Sequence, residues 1–221
     1  MTALAERILK RPDAVQLLKK VQQTLDDEAR RRRDFREWID EQMKAEFING
    51  EIVVHSPVKK KHWEASSFLS TLLSVHTTLK RLGRVGVEKV MISLTRNDYE
   101  PDIVFFSSEK SALFTKDQMF FPAPDFVVEI LSKKTAAKDR GIKKQDYALH
   151  GIKEYWIIDP ERQRIEQYLL LSDKDSVYFE PYVYTIDDDI SSRAVEGFVV
   201  PVRAIFEAEA NAQALADLTR K

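Results

Sequence analysis

Between Pro12 and Met43 the apolar positions Val15, Leu18, Val21 and Leu25, then Phe35, Trp38, Ile39 and Met43, recur mostly at steps of three and four. That is the period of a helix with one apolar face, and Pro12 suits a first helical turn. Residues 1–45 therefore read as a helical extension, with Trp38 in the core and the basic run Arg30 to Arg33 between two apolar stripes. At Glu46 the period changes. From Glu46 to Val54 apolar runs flank Asn49 and Gly50, the strongest short-range signal for a β-hairpin, and Pro57 ends its second strand. A helix from about His62 to Leu82 follows, with Phe68, Leu69, Leu72, Leu73 and Leu79 inward and Gly83 at its end. Val85 to Leu94 and Ile103 to Phe106 read as strands, joined by a turn-like stretch from Arg96 to Tyr99.

The stretch from Phe120 to Pro160 organises the rest. Phe126, Val127 and Val128 form a buried strand that continues into Glu129, Ile130 and Leu131; Pro124 and Asp125 mark its start. Ser132 or Thr135 can cap the next helix, which runs to about His150 and closes at Gly151. Glu154 to Asp159 is a second strand, with Tyr155 and Trp156 in the core, stopped by Pro160. Strand, helix and strand at this spacing make a βαβ unit with a right-handed crossover. Arg164 to Leu171 and Val177 to Ile186 read as further strands, and residues from about Val202 to Leu218 as a tail helix. The expected class is α/β: one domain, 46–221, behind the extension 1–45, with no internal repeat.

Composition narrows the partners. The 221 residues are 43% hydrophobic and 32% charged, with a net charge of -1 and no cysteine. Apolar runs are too short for a membrane helix, no leader-like apolar core opens the chain, and disulfides and thiolate metal sites are excluded, so a cytoplasmic address is expected. Polyanion binding must come from local patches such as Arg30 to Arg33 or Lys59, Lys60 and Lys61.

Two carboxylates stand at apolar strands: Asp102, opening the strand after Pro101, and Glu129. On one face they could share a divalent ion, and oxygen ligands favour Mg²⁺ or Mn²⁺. Lys143, on the helix after Glu129, could point a cation at the pair. The residue types alone fit equally a buried ion pair between Glu129 and Lys143.

The ordered motifs Glu46 to Val54, Ser56 and Pro57 with His62, Glu100 to Phe105, Phe126 to Ser132, Lys143 with Tyr147, and Gly151 to Pro160 resemble the Uma-type restriction endonuclease family of the PD-(D/E)XK nuclease superfamily. The resemblance covers roughly residues 45 to 200. It implies a restriction-endonuclease-like core, a mixed central β-sheet flanked by helices, with Mg²⁺ in the site and DNA as substrate. By position, Asp102 and Glu129 become the metal ligands, Glu46 the acid of the hairpin and His62 the histidine opening the next helix. The superfamily lysine two residues after the second acid is here Leu131, which points to Lys143 as the supplier of that charge. The carboxylates of Asp102 and Glu129 are then expected within roughly 4–6 Å, with the Lys143 ammonium beside them, steadied by Tyr147. Lys143→Ala is expected to abolish cleavage and leave the fold intact, because a helix tolerates alanine. Lys59, Lys60, Lys61, Arg140 and Lys144 are candidate phosphate contacts. A homodimer is expected, formed through the extension, with Arg30 to Arg33 on its rim; the competing function is a catalytically silent binding module of the same fold.

Overall fold

The apolar positions of the extension divide into two groups with opposite fates. The computed structural model describes residues 3–220, beginning with helices α1 (Ala3–Leu9) and α2 (Ala14–Trp38). On α2, Val15, Leu18, Val21 and Leu25 are exposed, whereas Phe35 and the following Ile39 are buried with Phe47 and Met91. Trp38, expected in the core, is 47% exposed. Phe35 and Ile39 take the inward face, and the Trp38 ring lies 6.2 Å from Phe35 at the margin.

Ion pairs fasten this end of α2. Arg32 and Arg36 reach Asp98 at 2.6 and 2.7 Å, and Arg32 also donates to the carbonyl oxygens of Leu94, Thr95 and Asn97. Burial would raise the Asp98 pKa, but the two guanidiniums and the Ser93 hydroxyl hold it below the usual range. Arg32 is therefore an internal anchor rather than a rim for phosphates, and Arg30 pairs with Asp27 on the helix surface.

Two sheets form the body. Strands β1 (Ala45–Ile48) and β2 (Glu51–Val54) are the expected hairpin, with Asn49 and Gly50 both at positive φ. They belong to a five-stranded sheet of order β2-β1-β5-β4-β7, where β4 is Met91–Ser93, β5 is Asp98–Tyr99 and β7 is Phe120–Phe121. The central sheet has six strands in the order β11-β10-β9-β8-β6-β3. Its members are β3 (Gly83–Val87), β6 (Ile103–Ser107), β8 (Phe126–Ile130), β9 (Glu154–Asp159), β10 (Arg164–Leu169) and β11 (Tyr182–Tyr184). Within this central sheet β8 and β9 run parallel, as the βαβ reading requires, and the other neighbours are antiparallel. Strands β12 (Asp189–Ser191) and β13 (Val199–Pro201) form a separate ribbon.

Side-chain alternation along β8 sets the layers. Phe126, Val128 and Ile130 face helix α3 (Lys60–Leu79) and helix α7 (Ala208–Arg220), while Val127 faces Tyr99, Tyr147 and Tyr155. Glu129 falls on the Val127 side. Tyr155 and Trp156 are fully buried, as expected.

Several expected elements are broken. The strand drawn from Val85 to Leu94 is two strands in different sheets, because Glu88 and Lys89 both take positive φ and turn the chain between them. The turn from Arg96 to Tyr99 contributes strand β5. Val177 to Ile186 is strand only at Tyr182–Tyr184, after Pro181, which has no N–H for a ladder. The tail is a 3-10 turn, Val202–Ile205, and then α7; Leu79, at the end of α3, is exposed. A short helix α4 (Ser108–Ser111) follows β6. The helix after β8 is three pieces: α5 (Ala136–Lys138), a π-helical turn (Asp139–Lys143) and α6 (Lys144–Leu149). No helix among the described residues is long and apolar enough to cross a membrane.

Candidate active site

Four elements converge on one lysine. Lys143 ends the π-helical turn, and its ammonium donates to Glu46 of β1 at 2.7 Å and to Glu129 of β8 at 2.9 Å. The Tyr147 hydroxyl, one turn along α6, donates to the same Glu129 Oε1 at 2.8 Å. The lysine therefore meets the second acid from the helix, and Tyr147 grips the acid rather than the lysine. Burial would strip Lys143 of its proton, but Glu129, Glu46 and Asp139 outweigh it and hold its pKa well above the usual value.

The acids around it titrate apart. Burial alone would raise Glu46, yet Lys143 and His55 bring it down to about 2. Glu129 is pushed well above the carboxylate range, by burial first and then by Asp139, Asp102 and Glu46, against the pull of Lys143. One cation is shared among several carboxylates, so the pKa of Glu46 falls while that of Glu129 rises.

Asp102 stands at the foot of β6, beside β8 in the antiparallel register that pairs Ile103 with Val128. Its Oδ2 accepts the Ile130 N–H at 2.7 Å and lies 3.3 Å from His62 Nε2, while Oδ1 lies 3.8 Å from Lys44. Burial opposes ionisation here too, but His62, the Ile130 N–H and Lys44 prevail and the Asp102 pKa is lowered. The side chains of Asp102 and Glu129 keep 10% and 7% exposure, against 2% and 1% for Lys143 and Glu46. All four are buried, the two acids slightly less completely than the cation and Glu46.

Three further groups escaped the sequence reading. Asp139 is buried one residue into the π turn, 3.8 Å from Lys143, and neither carboxylate oxygen has a close hydrogen-bond partner. Burial pushes it up to about 6, with Lys143 and Thr135 opposing. Its signal was the four-residue spacing to Lys143. Glu100 gives its N–H to Glu46, and burial raises its own carboxyl to about 7. His55, on the hairpin side, lies 3.2 Å from Glu46. Glu100 opens one of the ordered motifs but was given no role, and nothing in the pattern of the chain marks His55.

The candidate phosphate contacts separate. Lys60 pairs with Glu64 and Lys61 with Glu161 on the surface, with Lys59 also exposed before α3. Arg140 is tied to Glu166 at 2.7 Å and the Lys144 ammonium lies over the Tyr168 ring at 5.0 Å, so both are engaged with β10.

Residues 32–203 match the Uma2 family, described as "Putative restriction endonuclease". The chain belongs to this family. The crystal structure of a "putative nuclease belonging to DUF820" from Anabaena variabilis ATCC 29413 is similar, with a TM-score of 0.67 over 82% of this chain and 96% of that one, at 19% identity. At that identity the likeness speaks for the fold: mixed sheets flanked by helices. No curated protein matches. Membership in Uma2 supports a nuclease-like function.

The donor set of this Uma2 chain suits a hard divalent cation. Among the described residues no group of three or more His, Asp or Glu side chains is arranged to hold a metal ion. Two carboxylates are nevertheless enough for Mg²⁺, which keeps several of its waters. The hydrogen bonds described above fall on Glu129 Oε1 and Asp102 Oδ2, leaving Glu129 Oε2 and Asp102 Oδ1 outside them.

Proposed function

We propose that this Uma2 chain is an endonuclease that hydrolyses phosphodiester bonds in DNA, with Mg²⁺ or Mn²⁺ held by Asp102 and Glu129. The observation that carries the reading is the buried Lys143 ammonium, 2.9 Å from Glu129, in a chain whose residue two positions after that acid is Leu131. A fixed cation behind a ligand pair supports negative charge gathered above it on a phosphate. When bound, the metal would lower the pKa of a coordinated water and neutralise charge on the phosphate. Lys143 acts through Glu129, because its own ammonium is closed off. Glu46 keeps Lys143 charged, and His62 orients Asp102.

In this reading residues 46–221 are the nuclease unit and Lys59, Lys60 and Lys61 meet backbone phosphates. A homodimer and a cytoplasmic setting go with it: opposed active sites cut both strands, and the chain contains no cysteine to protect. The test is nicking of supercoiled plasmid with Mg²⁺ or Mn²⁺. Loss of nicking in EDTA and in Asp102→Asn supports the assignment, and nicking that survives both overturns it. The clamp on Glu129 Oε1, together with Leu131, favours a second reading, a silent module. That reading predicts duplex binding without nicking under every metal.

A further inference from the structure

Beside the acid cluster the chain exposes an aromatic ring that hydrolysis leaves unused. Trp63 directly follows His62 in α3, and His62 Nε2 lies 3.3 Å from Asp102 Oδ2. Consecutive Cα atoms are about 3.8 Å apart, so the indole springs from the same backbone that carries His62 to the site. A helix turns by about 100° per residue, which aims one side chain at Asp102 and the next outward: His62 is buried and Trp63 is 56% exposed. Trp63 belongs to none of the apolar clusters of the core. With Lys59 as N-cap, Val58 and Trp63 hold the positions that often pack together where a chain enters a helix. Val58 is itself 46% exposed, so such a contact leaves much of the ring uncovered.

Positive charge flanks the ring. Lys59 and Lys60 stand one turn before it. Lys61 pairs with Glu161, and Lys59 and Lys133 bear on the same carboxylate, which together they hold below its usual pKa. Lys133 follows Glu129 out of β8, so lysines from α3 and from the end of β8 share one surface. Lysines alone would serve any phosphate, but an exposed indole among them selects a ligand with a π face as well. A continuous duplex keeps its base faces stacked on one another, whereas an unpaired nucleotide offers both phosphate and face. We propose that Trp63 stacks on an unpaired base of the DNA strand whose phosphates lie on Lys59 and Lys60. The preferred substrate then carries an unpaired nucleotide beside the scissile phosphate, as in a gap, a mismatch or a single strand. The scissile phosphate rests on the nuclease reading above; the stacking itself needs neither metal nor cleavage.

Fluorescence titration of the full chain in EDTA tests it, because binding is then read without cleavage. The other tryptophans are Trp156, which is buried, and Trp38, on the outer helix α2. Single-stranded oligo(dT) of about 12 nucleotides quenches the wild-type emission, and a blunt duplex of the same length does so far less. Trp63→Phe keeps the affinity for oligo(dT) within about threefold and loses the quenching. Trp63→Leu, with an unchanged circular dichroism spectrum, weakens oligo(dT) binding about tenfold or more and duplex binding by much less. An emission that oligo(dT) does not change, or a Trp63→Leu protein that binds it as tightly as the wild type, overturns the proposal whether or not plasmid is nicked. A wild type that stacks on oligo(dT) as described but never nicks plasmid upholds the stacking and overturns the nuclease reading instead.

Discussion

The Lys143 ammonium sits 2.7 Å from Glu46 Oε1, so one buried ion pair locks the helix beside β8 to the hairpin strand β1. Removing one member of such a pair costs about 3–5 kcal/mol, because the other charge is left without a partner. Lys143→Ala should therefore lose both cleavage and stability, although helix propensity alone would predict a tolerant site. Lys143→Met with Glu46→Gln should recover most of the stability and none of the cleavage. Urea unfolding and plasmid nicking on the three proteins check this. Wild-type stability in Lys143→Ala would remove the lock.

Asp102→Asn keeps the shape of the side chain and can keep the bond from the Ile130 N–H. It removes a charge that a metal would need. Mn²⁺ at a hundred times its dissociation constant should stabilise the wild type by about 2.7 kcal/mol. Asp102→Asn should gain little from the same concentration. Thermal melts with and without Mn²⁺ decide, and equal shifts in the two proteins would rule Asp102 out as a ligand.

Stability should fall as pH rises from weak acid to neutral. Burial raises Glu100 to about 7 and Asp139 to about 6 in the folded chain. Both ionise near 4 when unfolded, so between about pH 4 and 7 the folded state binds more protons. Their contribution is fully present below the unfolded value and is lost as pH rises through the folded one. Asp139→Asn should remove on the order of 1–2 kcal/mol of the difference between pH 5 and pH 8. Unfolding free energies at the two pH values measure it; an Asp139→Asn protein with the wild-type difference contradicts the assignment.

Asp98 has no exposed surface and holds Arg32 and Arg36 together. Asp98→Ala leaves two cations facing each other and should cost about 3–5 kcal/mol. It should also free the C-terminal half of α2, seen as new protease cuts between Glu28 and Trp38. An uncut helix with an unchanged melting temperature would show that the apolar contacts of Phe35 suffice.

What could be read in advance was what local chemistry dictates. Asn49 and Gly50 adopt positive φ as their residue types require, and the apolar runs at Phe126 and Glu154 pair in parallel. Lys143 was found because it lies on the helix that follows the Glu129 strand and because Leu131 leaves the family's usual lysine position without a charge. Glu88 and Lys89 were missed because neither residue type announces a left-handed backbone. Trp38 was misplaced for a different reason: a stripe reports that a face is apolar, not which of its residues is covered. Asp139 was passed over because an aspartate near a helix start usually faces water.

The π-helical turn from Asp139 to Lys143 sets regular backbone geometry against the assembly of the site. Its bonds span one residue more than those of an α-helix. Deleting Gly141, whose position has open space around it, would let the stretch rewind into an ordinary helix. Everything upstream would then rotate by about 100° relative to Lys143, carrying Asp139 off the lysine's face. Chain length at this point is thus itself a specification. A homologue one residue shorter here could keep every acid and the lysine, fold with a smoother helix, and still lack the cluster.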